Sequence, residues 1–212
     1  MTGRKLVRLT SPQTYKVVAY LLAHPKTSQI EISRKTGVSR NLVNHVISDF
    51  EAPGIATQRA KGRLELIDSL RLLEVLSTER PLSRLVESEV RTEESEISKV
   101  ERIVRNKAAD TGGYALTAFS ALGKYVEYYI TYPTVHVYSQ KPRELVDRIP
   151  RGRGDVTVQV LSPDSDLILK NSRRIKEFAL VEPVQVVIDL FCLGGAGRDG
   201  AMKLYEEIKK ES

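Results

Sequence analysis

Hydrophobic residues in the first quarter of the chain recur at the spacing of amphipathic helices. One set predicts a helix that begins at Ser11-Pro12 and ends near Ala23, with these residues on its inner face: Tyr15, Val18, Leu21 and Leu22. A second set falls at i, i+3, i+4 and i+7 and predicts a later helix with this buried stripe: Val43, Val46, Ile47 and Phe50. Each helix is therefore expected to bury one face in a shared core.

A shorter helix is expected between these two, capped by Thr27 or Ser28 and with Ile32 turned inward. The six residues 35–40, Lys-Thr-Gly-Val-Ser-Arg, separate it from the later helix. Gly37 suits a left-handed turn, because glycine adopts positive φ at little cost. Ser39 then caps the next helix. This arrangement is typical of a helix-turn-helix.

A β-hairpin is predicted directly after these helices. Two short runs, 55–59 and 63–67, flank a turn that contains Gly62. Its tip carries Arg59, Lys61 and Arg63 with no acidic residue among them. A basic hairpin in this position is typical of the wing of a winged helix-turn-helix. Such a tip suits contact with the minor groove or with phosphate, which positions a protein on DNA without specifying the sequence.

If the later helix buries its apolar stripe, its opposite face must be exposed. That face consists of Arg40, Asn41, Asn44, His45 and Ser48. Arginine and asparagine can make paired hydrogen bonds to the edges of guanine and adenine. The simpler interpretation is an ordinary polar helix surface. We predict that Arg40, Asn41 and Asn44 reach base edges. His45 and Ser48 complete the predicted DNA-binding face. Four further residues are predicted to contact phosphate: Ser39, Arg59, Lys61 and Arg63.

The distribution of charge supports a nucleic-acid-binding module at the N-terminus. Residues 1–78 contain 12 Lys and Arg against 6 Asp and Glu, whereas residues 79–212 contain 21 of each. The whole net charge of +6 therefore belongs to the first part of the chain. A basic segment joined to a neutral one is what a DNA-binding domain attached to a partner domain would show. A solvated basic face without a partner is the alternative.

Two domains are predicted, residues 1–79 and 80–212, with the boundary at Glu79-Arg80-Pro81. The leucine-rich helix 70–78 before this boundary has three possible roles, namely packing on the winged domain, bridging the domains, or pairing with a second copy. Beyond it, strands and helices alternate without a regular βαβ rhythm, so the second domain is expected to be α+β. One of its helices should be capped by Ser95 and expose Glu101 with Arg105.

The composition is ordinary for a soluble globular protein, with 41% hydrophobic and 28% charged residues. The chain contains no apolar run near the ~20 residues of a membrane span, and its N-terminus lacks the apolar core of a signal peptide. A cytoplasmic location is therefore expected. Cys192 is alone, and the three histidines lie far apart, so we expect neither an internal disulfide nor a metal or other cofactor.

Two motifs in the second domain could suggest catalysis. Asp164-Ser165-Asp166 has the spacing of metal-binding carboxylates, which nucleotidyl transfer requires. It follows Ser162-Pro163, however, so turn formation and helix capping explain it better. The glycine-rich segment 194–199 lacks the Lys-Ser/Thr of a phosphate-binding loop and is better explained as a turn between helices. We therefore expect no enzymatic activity.

The second domain resembles the AbiEi-type antitoxin or transcriptional regulator family of type IV toxin-antitoxin systems. The resemblance covers about 100 residues and is carried by these segments: 114–117 (Tyr-Ala-Leu-Thr), Ala121-Leu122, 135–138 (Val-His-Val-Tyr), 184–190 (Val-Gln-Val-Val-Ile-Asp-Leu), 194–199 and Ala201. It implies a fold distantly like that of nucleotidyltransferases but without their catalysis. It also implies a toxin protein as partner.

Together these features predict a sequence-specific transcriptional regulator, a repressor or antitoxin-like autoregulator. It would bind double-stranded DNA as a homodimer through its winged helix, with the second domain dimerising or receiving a protein. The alternative from another class is a nucleotidyltransferase-like enzyme tethered to nucleic acid. A third hypothesis, in which the winged helix binds protein, is disfavoured by the basic wing tip.

Overall fold

The computed structural model describes residues 7–59, 62–109 and 111–211. The chain divides into two compact units, of which the first ends at Arg80 and the second begins at Pro81. Lys61, one of the predicted phosphate contacts, lies outside the described residues. Within these ranges, no helix is both long and apolar enough to cross a membrane.

The N-terminal unit combines helices with a small antiparallel sheet. Its elements in chain order are α1 (Pro12–Ala23), β1 (Lys26–Ser28), α2 (Gln29–Thr36), α3 (Arg40–Glu51), β2 (Ala56–Gln58), β3 (Arg63–Leu66) and α4 (Ser69–Glu79). The strand order is β1-β3-β2. The first helix and the wing hairpin are confirmed. The strand β1 is an addition, because the sequence predicted residues 27 and 28 only as a helix cap.

Helix α4 packs on the winged unit, which is one of the three roles that the sequence allowed. Asp68 caps the helix by accepting the backbone N–H of Arg71 at 2.9 Å. The Arg71 guanidinium in turn donates to the carbonyl of Pro53 at 2.7 Å. At the other end, Glu79 accepts the backbone N–H of Leu9 at 2.9 Å. Both ends of α4 are therefore joined to residues of the N-terminal unit.

The C-terminal unit is built on a six-stranded mixed sheet with helices. Its elements are a 3₁₀ helix (Leu82–Leu85), β4 (Val86–Arg91), α5 (Ile97–Ala108), β5 (Tyr114–Thr117), α6 (Ala118–Tyr125), β6 (Thr134–Ser139), α7 (Pro142–Arg148), β7 (Thr157–Leu161), α8 (Asp166–Lys170), β8 (Arg173–Ile175), β9 (Phe178–Leu180), α9 (Pro183–Leu193) and α10 (Ala196–Glu211). The strand order is β4-β7-β6-β5-β9-β8. Parallel and antiparallel neighbours both occur, with β6 and β7 parallel and connected through α7. The mixed α+β class is thus confirmed.

A buried carboxylate holds helix α9 to the sheet. Asp189 is fully buried and accepts hydrogen bonds from Thr117 at 2.6 Å, Tyr138 at 3.0 Å and Gln185 at 2.9 Å. Because an unsatisfied buried carboxylate would be very unfavourable, these donors are essential to its position. The network joins β5, β6 and α9 into one unit.

The prediction that Glu101 is exposed was wrong. Its side chain lies on the inner side of α5 with the residue only 4% exposed, and it accepts a hydrogen bond from Lys124 of α6 at 2.6 Å. A buried carboxylate is tolerated here because a cation from a neighbouring helix pairs with it. The predicted Ser95 cap was also wrong. Glu96 occupies the N-cap position, and the Ser95 hydroxyl donates to Asp155 at 2.8 Å.

His136 of β6 is buried in the C-terminal unit with incomplete hydrogen bonding. The residue is 4% exposed, and its Nδ1 has no hydrogen-bond partner among the described residues. Burial lowers the pKa of His136 to about 4, and a hydrogen bond with Gln159 opposes this shift only in part. The folded protein therefore holds this imidazole neutral at pH values where an unfolded chain would protonate it.

This imidazole should make the protein less stable in mild acid. Since the folded pKa lies below the unfolded value of about 6.5, the unfolded state binds the extra proton as pH falls from about 6.5 to about 4. The free energy of unfolding should fall by about 2 kcal/mol between pH 7 and pH 5 through this group alone. Urea unfolding of the wild type and of His136→Gln at both pH values would measure it. The variant should lose that much less stability on acidification, and equal losses in the two proteins would contradict the assignment.

Candidate nucleic-acid interface

The turn between α2 and α3 is fixed by hydrogen bonds within the helix-turn-helix. Gly37 adopts a left-handed conformation with φ of 72°, and its N–H donates to the carbonyl of Ser33 at 3.0 Å. The Ser33 hydroxyl donates to the carbonyl of Val38 at 2.7 Å. Val38 itself is only 2% exposed. The turn therefore has little freedom to change the angle between the two helices.

Serine caps begin both helices: Ser28, one of the two predicted alternatives, caps α2, and the predicted Ser39 caps α3. Ser28 accepts the N–H of Glu31 at 3.2 Å, and Ser39 accepts the N–H of Leu42 at 3.4 Å. Each serine satisfies one of the backbone donors that a helix start leaves unpaired. Because Ser39 is exposed while it caps α3, its own backbone and hydroxyl lie at the surface where the helix begins.

Helix α3 buries its predicted apolar stripe and exposes the opposite side. Val43, Val46 and Ile47 are fully buried, and Phe50 is 4% exposed. On the other side, four of the predicted DNA-binding residues are exposed: Arg40, Asn41, Asn44 and His45. The fifth, Ser48, is half-buried. The structure thus brings these residues together on one helix face.

The carboxylate of Asp49 belongs to the inner side of α3. The residue is 8% exposed and accepts the backbone N–H of Val7 at 2.9 Å. An acidic side chain on the outer face would repel DNA phosphates. Its inward position keeps the charge of Asp49 away from the face that carries Arg40 and Asn44.

The exposed face contains a contact that the sequence did not predict. Gln29, the first residue of α2, donates from Nε2 to Oδ1 of Asn44 at 3.3 Å. Periodicity within a single helix cannot reveal this contact, because it depends on how two helices cross. The residues are 15 positions apart in the chain.

The wing presents cations together with one acidic neighbour. Arg59 forms an ion pair with Glu65 of β3, with 3.1 Å between Nη2 and Oε2. Arg63 is exposed at the start of β3. Glu65 lies outside the predicted basic tip, so its pairing with Arg59 was not predicted. The strand register could have revealed this ion pair. Thr57 lies opposite Glu65, and Arg59, two residues after Thr57, is on the same face of the hairpin because side chains alternate along a strand.

Exposed cations are spread over α2, α3 and the sheet of the N-terminal unit. They include Lys26, Arg34, Lys35, Arg40, Arg59 and Arg63. Among these, Arg59 has the ion pair with Glu65, so part of its charge is compensated in the free protein. The unit therefore offers positive charge at both the helix-turn-helix and the wing, which is the electrostatic requirement for binding a phosphate backbone.

In the C-terminal unit, the features that bear on chemistry include the Asp164-Ser165-Asp166 motif and a cavity. No group of three or more His, Cys, Asp or Glu residues suited to a metal ion occurs in the part of the chain that is described. Ser165 caps α8 by accepting the N–H of Leu167 at 3.3 Å, which confirms the capping explanation of the Asp164-Ser165-Asp166 motif. A cavity of about 340 Å³ lies beside α5 and the β8–β9 hairpin, where Lys124 is already paired with Glu101.

Comparison with known proteins supports the identity of the N-terminal unit. Residues 11–56 match the family described as winged helix-turn-helix DNA-binding. No curated protein and no solved structure matches the chain. The match covers the helix-turn-helix and reaches the first strand of the wing hairpin. The N-terminal unit therefore contains a winged helix-turn-helix DNA-binding domain.

Proposed function

We propose that this protein is a sequence-specific transcriptional regulator that represses its target by occupying operator DNA. The observation that carries the proposal is the exposed polar face of α3 within a winged helix-turn-helix domain. A helix of this diameter fits the major groove, where each base pair presents a distinct set of donors and acceptors. A protein with this function would be located in the compartment that contains the DNA.

The side chains divide into base-reading and phosphate-binding groups. Arg40, Asn41 and Asn44 would contact base edges from the first two turns of α3, as recognition helices commonly do. His45 and Ser48 would extend this contact along the helix. The cap residue and the wing cations would hold the phosphates on either side: Ser39, Arg59, Lys61 and Arg63.

The second domain is proposed to dimerise or to bind a partner protein. Its resemblance to AbiEi-type antitoxins suggests an autoregulator whose partner is a toxin. Two copies of the winged domain would read two half-sites related by symmetry. We propose no catalysis for this domain, and the capping role of Ser165 supports that view because it gives the Asp164-Ser165-Asp166 segment a structural explanation.

Removing the Asn44 amide should relax sequence choice. We expect Asn44→Ala to lose about 1–3 kcal/mol of discrimination at one base pair of each half-site, while binding to random DNA changes little. Selection of bound sequences from random double-stranded DNA, followed by affinity measurements on single-base variants, would test this. A dimer should select an inverted repeat with half-sites spaced by about one or two helical turns. Selection of no preferred sequence by the wild type would contradict the proposed function.

Removing a wing cation should weaken binding to every sequence. Arg63→Ala and Lys61→Ala should each reduce affinity for specific and random DNA alike, and should lower the slope of log K against log salt by about one unit. Lys170→Ala in the second domain is a matched control, since it removes an exposed cation outside the winged unit. Titrations by fluorescence anisotropy at several salt concentrations would measure the slopes. Equal salt slopes in the wild type and both wing variants would show that the wing does not contact DNA phosphates.

Removing the acidic neighbour of Arg59 should strengthen binding. In the free protein Arg59 is paired with Glu65, and contact with phosphate must replace that ion pair. Glu65→Gln keeps the size of the side chain but removes its charge, so we expect higher affinity for all DNA and a salt slope steeper by up to about one unit. The same anisotropy titrations would show it. An affinity unchanged by Glu65→Gln at low salt would show that Arg59 does not approach phosphate.

A further inference from the structure

The amide of Gln29 reaches across the helix-turn-helix to the amide of Asn44. Gln29 Nε2 donates to Asn44 Oδ1 at 3.3 Å. Gln29 is half-buried at the start of α2, whereas Asn44 is exposed on the second turn of α3. The contact therefore connects the helix before the turn with the face that is proposed to read bases.

In the structure this contact is made with one of the two orientations of the Asn44 carboxamide. Rotation by half a turn about its last torsion exchanges the oxygen, an acceptor, for the NH₂, a donor, and a free side chain adopts both orientations. Donation from Gln29 is compatible only with the orientation that turns Oδ1 toward Gln29. Nδ2 then points away from Gln29, and one of the two lone pairs on Oδ1 stays available.

Gln29 is itself held in place by the strand that precedes it. Ser28 caps α2 and is also the last residue of β1, where it pairs with Arg63 of β3. The backbone of Gln29 is thus continuous with the wing sheet on one side and with α2 on the other. With the backbone at Gln29 ordered in this way, only its side-chain torsions remain to be fixed when the contact with Asn44 forms.

We propose that Gln29 is a positioning residue for DNA sequence recognition, which orients Asn44 so that Nδ2 is presented to hydrogen-bond acceptors on a base edge. Such acceptors in the major groove are purine N7, guanine O6 and thymine O4. The inference rests on the proposed function of the α3 face. By ordering Asn44 before DNA binds, Gln29 reduces the entropy lost on binding, an effect that corresponds to about a three- to tenfold preference for the correct base.

The first test is a double-mutant comparison. The preferred site is first selected from random DNA, and the base position that responds to Asn44 is identified. Affinities for sites with each of the four bases at that position are then measured for four proteins: wild type, Gln29→Ala, Asn44→Ala and the double variant. Gln29→Ala should lower the base preference about three- to tenfold in the wild-type background. In the Asn44→Ala background it should leave the preference unchanged, because the residue it positions is absent.

A reversal of polarity gives a sharper test. In Gln29→Glu the carboxylate cannot donate and would instead accept from Asn44 Nδ2, so that Oδ1 points toward the groove. We expect the selected base to change toward cytosine, which presents an exocyclic amine in the major groove without an acceptor beside it. The substitution should not unfold α2, because an acidic residue in the first turn of a helix is favourable.

Gln13→Glu is the matched control for added charge. Gln13 is an exposed glutamine in the first turn of α1, and its substitution introduces the same carboxylate without a partner on α3. It should leave the selected base unchanged. Thermal unfolding followed by circular dichroism would establish that all variants are folded.

The outcomes separate the inference from the function on which it rests. If Asn44→Ala does not alter base preference, the proposed role of the α3 face at that position is wrong. If Asn44→Ala alters the preference, but Gln29→Ala and Gln29→Glu select the same base with the same preference as the wild type, then Asn44 reads DNA without Gln29 and the inference is overturned.

Discussion

The burial of one stripe of α3 determines where the candidate DNA interface lies. Val43, Val46 and Ile47 are fully buried, and α3 packs against both α1 and α2. A helix with 3.6 residues per turn cannot bury these positions without exposing the side that carries Arg40 and Asn44. Packing free energy therefore sets the rotation of the helix, and the rotation sets which side chains face outward. The hydrogen-bonded turn at Gly37 adds the second constraint, because it fixes the direction in which α3 leaves the preceding helix.

The C-terminal unit depends on a different kind of constraint. Its helices α5 and α9 are tied to neighbouring elements by buried carboxylates, Glu101 with Lys124 and Asp189 with hydroxyl and amide donors. A buried charge tolerates little displacement, since separation from its donors leaves it unsolvated. Such contacts specify one arrangement of helices and strands.

Local chemistry made the helix-turn-helix predictable from the sequence. Ser28, Gly37 and Ser39 form their capping hydrogen bonds with residues three or four positions away in the chain. The apolar stripe of α3 depends only on helical spacing. The errors and omissions involve partners on a different helix, strand or loop. Burial of Glu101 requires Lys124, 23 residues later, and the contact of Gln29 with Asn44 requires the two helices to have crossed. Strand β1 likewise depends on pairing with β3, which a three-residue segment cannot signal by its own periodicity.

The two proposed contact surfaces use side chains of different length for a physical reason. Asparagine has a short side chain, so it can read a base edge only if the backbone that carries it is held at a fixed depth in the groove. In the proposed mode of binding, the buried stripe of α3, its capped start and the contact with Gln29 would provide that placement. Arginine in the wing has a long and flexible side chain and binds phosphate, whose charge attracts it over a range of positions. A hairpin tip can therefore carry Arg63 without the same rigidity. The pairing of Arg59 with Glu65 shows that a wing cation can also be held on the protein surface in the free protein. In the proposed mode of binding, this ion pair would reduce nonspecific attraction to DNA and leave more of the binding free energy to the α3 face.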